Sequence, residues 1–421
     1  MDKWDVVIIG GGLAGYVASN YLARSKLSVL MLEKGKQVGG RARTTKIKGQ
    51  YFNLGPHALY KKGKAWVILE ELGIQLDGKR PKPDGILTGD NHEFIAPFSA
   101  IGVLTTHYLN WKEKVEWLAV LSEVIRVDVQ KIAELTFCQW VTQTARSKKV
   151  QSLLFVLGRL SAYCHAPERV GAAVILSHLK SVLGGVIYLN GGWQTIIDQL
   201  HNQAVITGVQ IQTHKTVEQI TETSTDSLKV VLSDGEEILG RNVIYTAGPQ
   251  ELAGMLGKDE GAFFRNMIPV KGATLDIALT KLPRPKKLFA MDIRKPFYMS
   301  VHSACARLSE DKDNSVLHVF KYFHPDEKID GTKVKEELEQ FLEGIQPDWK
   351  DHVITSRYMP QITVNHRLPQ IGDEFQLGSS TTEIPGLYIA GDWACPDLIL
   401  AEGAASSAKR AAAEIIKNRM G

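Results

Sequence analysis

Cysteine is scarce in this chain, with only four among 421 residues: Cys138, Cys164, Cys305 and Cys395. They show no Cys-x-x-Cys or Cys/His spacing, so the sequence indicates neither a zinc site nor a disulfide framework, and we expect no metal to be bound. A chain without a disulfide framework fits a reducing compartment, which favours a cytoplasmic location.

Long hydrophobic runs are also missing. The stretch 94–111 has no Asp, Glu, Lys or Arg, but Pro97, Gly102 and several hydroxyl residues make it too short and too polar to cross a bilayer. The first residues enter an apolar strand pattern by Asp5, which leaves no room for a signal peptide. We expect the segment 94–104 to be buried beneath a helical region; the alternative is that it lines a pocket mouth in peripheral contact with a membrane.

The excess of charge of one sign is small, because 50 Lys and Arg against 46 Asp and Glu give a net charge of +4. No nucleic acid or other polyanion is therefore expected as a partner. A hydrophobic content of 44% is that of a globular chain rather than a disordered one. The length suggests two or three domains, and the oligomeric state stays open.

What the sequence does contain is a glycine-rich turn near its start. Residues 5–10 include a run of Val and Ile typical of a strand buried on both faces, and residues 16–25 have helical spacing. Between them, Gly10 permits a tight turn, Gly12 lets a pyrophosphate approach the backbone and Gly15 lets the helix pack on the strand. Phosphates would then lie on the unpaired N–H groups at the helix N-terminus.

An acidic residue follows at a fitting distance. The run 27–33 predicts a second buried strand that ends at Glu33, eighteen positions after Gly15. A carboxylate at that place is positioned to accept hydrogen bonds from a ribose. The sequence therefore predicts a nucleotide site.

A second glycine motif separates flavin from nicotinamide as the nucleotide. Gly39 and Gly40 follow the second strand and let a phosphate approach, and Arg41 supplies a guanidinium fork to neutralise it. The segment 51–57 (Tyr-Phe-Asn-Leu-Gly-Pro-His) comes next. In their order, these elements resemble those of the flavin amine oxidase and phytoene desaturase superfamily. The resemblance implies that the second motif holds the FAD pyrophosphate and that the segment 51–57 passes beside the isoalloxazine ring.

The C-terminus carries a matching signal. The run 384–393 (Ile-Pro-Gly-Leu-Tyr-Ile-Ala-Gly-Asp-Trp) predicts a strand that reaches Asp392, and Glu402-Gly-Ala begins a helix of small residues. The resemblance implies that this strand closes the nucleotide sheet and that Asp392 bonds the ribityl or pyrophosphate part of FAD. It also implies that the helix start points at the flavin pyrimidine, where its positive end would favour reduction.

The resemblance implies FAD as the cofactor. We expect it to be bound noncovalently, because residues 351–390 contain no cysteine, the residue through which covalent members of the superfamily attach flavin. The residues expected to bind FAD are Gly10, Gly12, Leu13, Ala14, Gly15, Glu33, Lys34, Gly39, Gly40, Arg41, Gly55, Pro56, His57, Val217, Ala247, Gly391, Asp392, Leu400, Ala401 and Ala404. Val217, which the resemblance places near the adenine, would act through its backbone.

The order of the motifs also predicts how the chain is divided. We expect an α/β fold with a discontinuous Rossmann-type FAD-binding domain and an α+β substrate-binding domain of mixed sheet plus helical insertion. The division follows because phosphate-binding residues stand near both ends of the chain, with the adenine strand in its middle. The expected ranges are 1–78, 185–265 and 371–421 for the FAD-binding domain, and 79–184 and 266–370 for the substrate-binding domain.

The branch of the superfamily is predicted from the residue at position 400. Amine oxidases usually place an aromatic residue two positions before Glu-Gly-Ala, where this chain has Leu400. The incomplete aromatic cage favours an apolar substrate, and the C-terminal motif more closely resembles carotene desaturases. We therefore predict an FAD-dependent oxidoreductase that removes a hydride from an apolar, isoprenoid-like small molecule.

Several alternatives stay open at this point. They are an amine or protoporphyrinogen-type oxidase, a redox-neutral flavin isomerase, and a non-catalytic protein of the same fold, as in prenyl-protein escort factors. No catalytic base stands out. His57 and Lys271 are the candidates, against the structural alternatives of a histidine that caps a turn and a solvated lysine at a strand start.

Overall fold

The computed structural model describes residues 3–420 apart from 83, 91, 225–226, 257–260 and 374–376. The described strands, numbered in chain order, are β1 Lys3–Ile9, β2 Val29–Leu32, β3 Thr44–Ile47, β4 Gln50–Asn53, β5 Leu59–Tyr60, β6 Gly78–Lys79, β7 Ile86–Gly89, β8 His92–Ile95, β9 Val186–Leu189, β10 Gln210–Gln212, β11 Val217–Glu222, β12 Leu228–Leu232, β13 Glu237–Tyr245, β14 Val270–Leu279, β15 Phe289–Asp292, β16 Phe297–Val301, β17 Ser315–Tyr322, β18 Val353–Asn365 and β19 Leu387–Ile389. The longer described helices are α1 Leu13–Arg24, α2 Lys64–Glu71, α3 Ala100–Thr105, α4 Trp111–Arg126, α5 Phe137–Thr144, α6 Lys148–Ala162, α7 Ala172–Leu183, α8 Gln194–Ile206, α9 Pro249–Met255, α10 Ala262–Arg265, α11 Gly331–Ile345 and the C-terminal helix Leu400–Met420.

The first sheet is built from three separated stretches of the chain. Its strands have the order β10-β2-β1-β13-β12-β11, and β19 pairs with β13. Strands β10, β2, β1, β13 and β19 run parallel, whereas β12 and β11 add an antiparallel edge. Side chains of β1 alternate between the faces, so that Val6 and Ile8 pack with α1, α8 and the C-terminal helix, while Val7 and Ile9 pack on the opposite side.

The first turn brings α1 directly onto β1. Gly10 has a φ of +109°, in the region that favours glycine. A Cβ on Gly15 would lie 2.1 Å from the carbonyl oxygen of Gly10, so a side chain there would force the helix away from the strand. The turn therefore needs both glycines for the fold itself.

The second sheet lies between two layers of helices. Its strands have the order β18-β14-β17-β16-β15-β7-β8, and it is antiparallel apart from the parallel pair β15 and β7. On β17, Leu317 and Val319 pack against α11, whereas Phe320 and Tyr322 face the core formed by α4 to α7. This alternation has the period of two expected for a strand buried on both faces.

The predicted fold class is confirmed, since a mostly parallel nucleotide-type sheet and a second mixed sheet with a helical insertion are both present. The domain limits stay a prediction, and their outer ends at residues 1 and 421 lie outside the described residues. None of the helices in the described ranges has the length and hydropathy needed to cross a membrane.

The segment 94–104 differs from its sequence-based prediction. Burial was expected, but the side chains of Ile95, Ile101 and Leu104 are 48%, 73% and 67% exposed. The short helix α3 packs through Gly102 and Val103, which are buried, and so turns its larger apolar residues outward. The prediction of burial is therefore wrong for this face.

Candidate active site

The two glycine motifs meet at the carboxyl edge of the first sheet. Gly12 and Gly39 form a parallel bridge, and the Gly39 N–H donates to the Gly11 carbonyl oxygen over 2.6 Å. A Cβ on Gly12 would meet no described atom within 4 Å, and one on Gly40 would lie 3.4 Å from the Gly12 Cα. The backbone of Gly12 thus faces open space, which is the cradle that a pyrophosphate needs.

The N-terminus of α1 opens into the same space. Among the described residues, no side chain caps it, and its first turn contains no acidic residue. Leu13 and Ala14 line the cavity here. Uncapped N–H groups and the positive end of the helix favour an anion, so this terminus fits a phosphate of FAD.

Glu33 is held by the glycine-rich turn. Its two carboxylate oxygens accept hydrogen bonds from the backbone N–H groups of Gly11, over 2.8 Å, and Gly35, over 2.7 Å. Glu33 and Lys34 both line the cavity. Because each carboxylate oxygen has a second lone pair, Glu33 also fits the ribose that the sequence predicts for it.

Arg41 and Asp392, from opposite ends of the chain, form a two-pronged ion pair. The Arg41 Nη1 lies 2.7 Å from the Asp392 Oδ2, and Nη2 lies 2.6 Å from Oδ1. Asp392 also accepts from the backbone N–H of His366 over 2.8 Å. Burial alone would raise the pKa of Asp392, but Arg41 and His366 outweigh it and hold the pKa well below the usual range. Both partners line the cavity, which is consistent with contacts to FAD. Those contacts stay a prediction.

The His57 ring lies between two backbone segments. Its Nδ1 lies 3.0 Å from the Gly55 carbonyl oxygen, and its Nε2 lies 3.0 Å from that of Arg41. Burial lowers the pKa of His57 to about 4, so the ring is neutral at pH 7. A neutral ring has one N–H and can donate to only one of these carbonyl oxygens. Since both nitrogens face backbone carbonyl groups, His57 is poorly placed to take a proton from a substrate.

The C-terminal helix begins under local constraint. Leu400 has a φ of +57°, a left-handed conformation that is costly for a branched side chain. Its N–H donates to the buried Asn365 Oδ1 over 3.0 Å, and the N–H of Ile399 donates to His178 Nε2 over 3.3 Å. These bonds direct Leu400, Ala401 and Ala404 to the cavity wall.

A single cavity joins these features. It has a volume of about 1440 Å³ and continues from the glycine motifs to the second sheet and the helical layer. Pockets of roughly 300–1,000 Å³ are usual for one small ligand, so this cavity has room for a large cofactor and a second molecule.

The structure brings most of the predicted FAD-binding residues to this cavity. Those that line it are Gly10, Gly12, Leu13, Ala14, Glu33, Lys34, Gly40, Arg41, Pro56, His57, Ala247, Gly391, Asp392, Leu400, Ala401 and Ala404. Gly15, Gly39, Gly55 and Val217 are not among its described lining residues. Lys271 is also absent from that lining and lies at the start of β14, so no contact with the cavity supports it as a base.

Sequence reasoning missed several residues of the cavity wall. Glu402 belongs to the Glu-Gly-Ala motif, but its side chain turns to cap α2, accepting from the Ala65 N–H over 2.9 Å. Burial raises the pKa of this carboxyl to about 7. The aromatic lining also went unassigned, because its members lie on different elements: Tyr60, Tyr163, Tyr188, Trp193 and Tyr298.

Comparison with known families places the chain. A family model described as flavin containing amine oxidoreductase matches residues 13–416. The chain therefore belongs to the family of flavin-containing amine oxidoreductases. This membership confirms the resemblance, the class of FAD-dependent oxidoreductase and the cofactor predicted from the motifs.

Curated relatives of the chain have different named activities. A carotenoid 3,4-desaturase of Haloarcula japonica is 26% identical over 263 residues, which are 51% of this chain and 50% of the relative. A 4,4'-diaponeurosporene oxygenase of Staphylococcus haemolyticus is 24% identical over 56% of this chain and 54% of the relative. A pseudooxynicotine dehydrogenase of Pseudomonas sp. is 32% identical over 25% of this chain and 23% of the relative. The chain thus spans about half or less of the length of these relatives.

Solved structures share the whole fold. An oxidoreductase from Methanosarcina mazei has a TM-score of 0.76 at 17% identity, covering 98% of this chain and 99% of that one. Cyclohexylamine oxidase from Brevibacterium oxydans has a TM-score of 0.73 at 14% identity, covering both chains completely. At such identities the likeness shows the fold alone.

Proposed function

We propose that this protein removes a hydride from an apolar, isoprenoid-like molecule. FAD, when bound, supplies the hydride acceptor. The chain supplies the phosphate cradle at Gly12 and Gly40 and an apolar wall for the substrate. It also orients the substrate against FAD. The desaturase and oxygenase among the relatives, whose names refer to carotenoids, support this substrate class.

The observation that carries the proposal is the state of the carboxylates around the cavity. Glu33 and Glu402 bond backbone N–H groups, Asp392 pairs with Arg41, and Glu251 lies 2.7 Å from Lys34. The remaining carboxylate among the described lining residues, Asp84, is solvent-exposed. The Glu402 Oε1 has no hydrogen-bond partner among the described residues, but burial raises the pKa of this carboxyl to about 7 and so disfavours its charged form. The other carboxylates inside the cavity are paired or bonded to backbone N–H groups, which leaves little fixed negative charge to offset the cost of burying a substrate ammonium.

The part of the cavity beyond the glycine motifs is lined mainly by apolar side chains, which suits an apolar substrate. Aliphatic and aromatic side chains from α4, α6 and the second sheet form its wall: Trp117, Leu121, Leu157, Leu160, Phe289, Phe320 and Ile362. Leu400 lies where amine oxidases of the family usually carry an aromatic residue, and it adds to this surface. Such a wall favours a hydrocarbon chain or ring through the hydrophobic effect.

Anaerobic reduction of the bound flavin tests the substrate class. We expect the absorbance near 450 nm to fall when the FAD-loaded protein is mixed with lycopene in detergent, and to stay unchanged with cyclohexylamine or putrescine. Bleaching by the amines alone would reverse the proposal. A preparation that takes up no FAD on reconstitution would remove its basis.

We also propose that the protein contacts membranes peripherally through α3 and α4. Trp111, Val115 and Leu118 form an exposed stripe on α4, beside the exposed Ile101 and Leu104 of α3. The Lys114 ammonium donates to the Leu104 carbonyl oxygen over 2.7 Å, so the two faces adjoin. Basic side chains also line the cavity and would suit anionic headgroups: Lys79, Arg80, Lys82 and Lys286.

Flotation with liposomes tests this contact. The wild-type protein is expected to float with vesicles of phosphatidylglycerol and phosphatidylcholine, and the double variant Ile101→Ser/Leu104→Ser is expected to float several-fold less. The exposed Ile206→Ser on α8 serves as a matched control. Equal flotation of all three proteins, or no flotation of the wild type, would contradict the proposal.

A further inference from the structure

Three side chains that carry hydroxyl groups lie close to His302 on the wall of the cavity. Tyr188 on β9 and Tyr298 and Ser300 on β16 all line it and are otherwise buried, at 8%, 1% and 6% exposure. Tyr298 and Ser300 stand two residues apart on β16 and therefore lie on the same face of that strand. We refer to these three side chains as the hydroxyl cluster.

A chain of buried polar rings stands behind the cluster. The Tyr298 hydroxyl lies 3.4 Å from His302 Nε2, and the His302 ring packs against Tyr188 at 4.1 Å between centroids, with the ring planes tilted by 33°. On its other side His302 contacts the His318 ring, at 4.4 Å. His318 Nδ1 in turn lies 2.6 Å from the Asp276 Oδ1. The cluster is thus fixed by a buried network rather than by solvent.

This network lets the cluster either donate a hydrogen bond to a ligand or accept one from it. Burial, with the neighbouring His318 and His57, holds the pKa of His302 well below its usual range, so the ring is neutral and carries one proton. A proton on Nε2 makes the ring donate to Tyr298, and a proton on Nδ1 makes it accept. Among the described residues, Nδ1 has no hydrogen-bond partner, so neither tautomer is excluded by a neighbour.

Buried hydroxyl groups are expensive in an apolar cavity unless each is satisfied. Phenylalanine and alanine would fill the same wall without that cost. Three hydroxyl-bearing side chains that line one cavity, with the His302 ring in contact with two of them, form a small polar socket of the kind that orients a ligand in a pocket.

We propose that the hydroxyl cluster binds an oxygen atom, in a hydroxyl or carbonyl group, of the apolar substrate. This inference rests on the proposed function, because it takes the cavity to hold an apolar substrate, and it adds a preference for substrates of that class that carry an oxygen group. Tyr188, Tyr298 and Ser300 touch that oxygen, and His302 is a positioning residue behind them.

Binding of two C15 isoprenoids to the FAD-loaded protein tests the inference. Farnesol carries a hydroxyl group and β-farnesene does not, and their binding is followed by the fluorescence of the cavity tryptophans Trp117 and Trp193. We expect the wild type to bind farnesol at least 10-fold more tightly. Tyr298→Phe and Tyr188→Phe should each weaken farnesol binding about 3- to 10-fold and leave β-farnesene within twofold.

Tyr322→Phe provides a matched control. Tyr322 lies on β17, is fully buried, and its hydroxyl has no partner among the described residues and lies outside the described cavity lining. Its loss should leave both affinities unchanged. His302→Phe keeps a ring against Tyr188 but removes the nitrogen, and it should reduce the preference for farnesol without weakening β-farnesene.

Two results would overturn the inference: equal binding of farnesol and β-farnesene by the wild type, or a loss in Tyr322→Phe as large as that in Tyr298→Phe. These results are separate from the redox test. A protein that discriminates the two probes but is bleached by no apolar compound would keep the socket and contradict the proposed function. A protein whose flavin is bleached by lycopene but which does not discriminate the probes would keep the proposed function and contradict the socket.

Discussion

Gly12→Ala is expected to lose FAD while the protein keeps its fold. Gly12 has a φ of −87°, which alanine adopts without strain, and the added Cβ would meet no described atom within 4 Å. The cost therefore arises only when a phosphate occupies the space in front of Gly12. Overpacking of about 1–3 kcal/mol corresponds to roughly a 5- to 150-fold loss of FAD affinity.

Substitutions of two other glycines serve as comparisons for Gly12→Ala. Gly15→Ala should destabilise the protein even without FAD, because its Cβ would lie 2.1 Å from the Gly10 carbonyl oxygen. Gly254→Ala on α9 has open space around it, so it should leave the affinity for FAD unchanged and should not destabilise the apoprotein. The measurements are the 450 to 280 nm absorbance ratio after desalting, the dissociation constant of FAD on reconstitution, and thermal unfolding of the apoprotein. If Gly12→Ala retained FAD like the wild type, the phosphate would have to lie elsewhere.

The glycine-rich part of this site was predictable because its chemistry is local. The requirement for a positive φ at Gly10, and for close packing at Gly15, follows from a turn of six residues. The helix start after Gly12 follows from the same short stretch. The apolar runs 5–10 and 27–33 likewise predicted β1 and β2 to within a few residues, since both strands are buried in the sheet.

Other parts of the site depend on contacts that no local pattern encodes. Arg41 and Asp392 are 351 positions apart, and each was assigned to the cofactor with no indication that they pair with each other. The hydroxyl cluster takes Tyr188 from the three-stranded sheet of β5, β9 and β6, and Tyr298 from the seven-stranded second sheet. The outward turn of Ile101 depends on the way a short helix packs, which hydropathy alone misread as burial. Such features arise from tertiary packing, which overrides local preference.

Arg41→Ala is expected to weaken both the fold and FAD retention. Asp392 is 3% exposed and would lose two charge-assisted hydrogen bonds, leaving its carboxylate with His366 and its backbone N–H. The Arg41 side chain is 36% exposed, so solvent reduces the loss in unfolding free energy to about 1–3 kcal/mol. FAD affinity should fall roughly 10- to 100-fold if the guanidinium also pairs with a phosphate of FAD. Arg241→Ala, an exposed arginine of the same sheet, should change neither.

The double variant Arg41→Ala/Asp392→Asn separates the two roles of Arg41. Removing the charge of Asp392 relieves the unpaired carboxylate, so the free energy of unfolding in urea should recover in part. Affinity for FAD should stay low, because the positive charge facing the phosphates is still missing. Recovery of FAD binding along with stability would instead mean that Arg41 only supports Asp392. Unchanged FAD retention in Arg41→Ala would place the phosphates away from this pair and leave the cradle to Gly12, Gly40 and the start of α1.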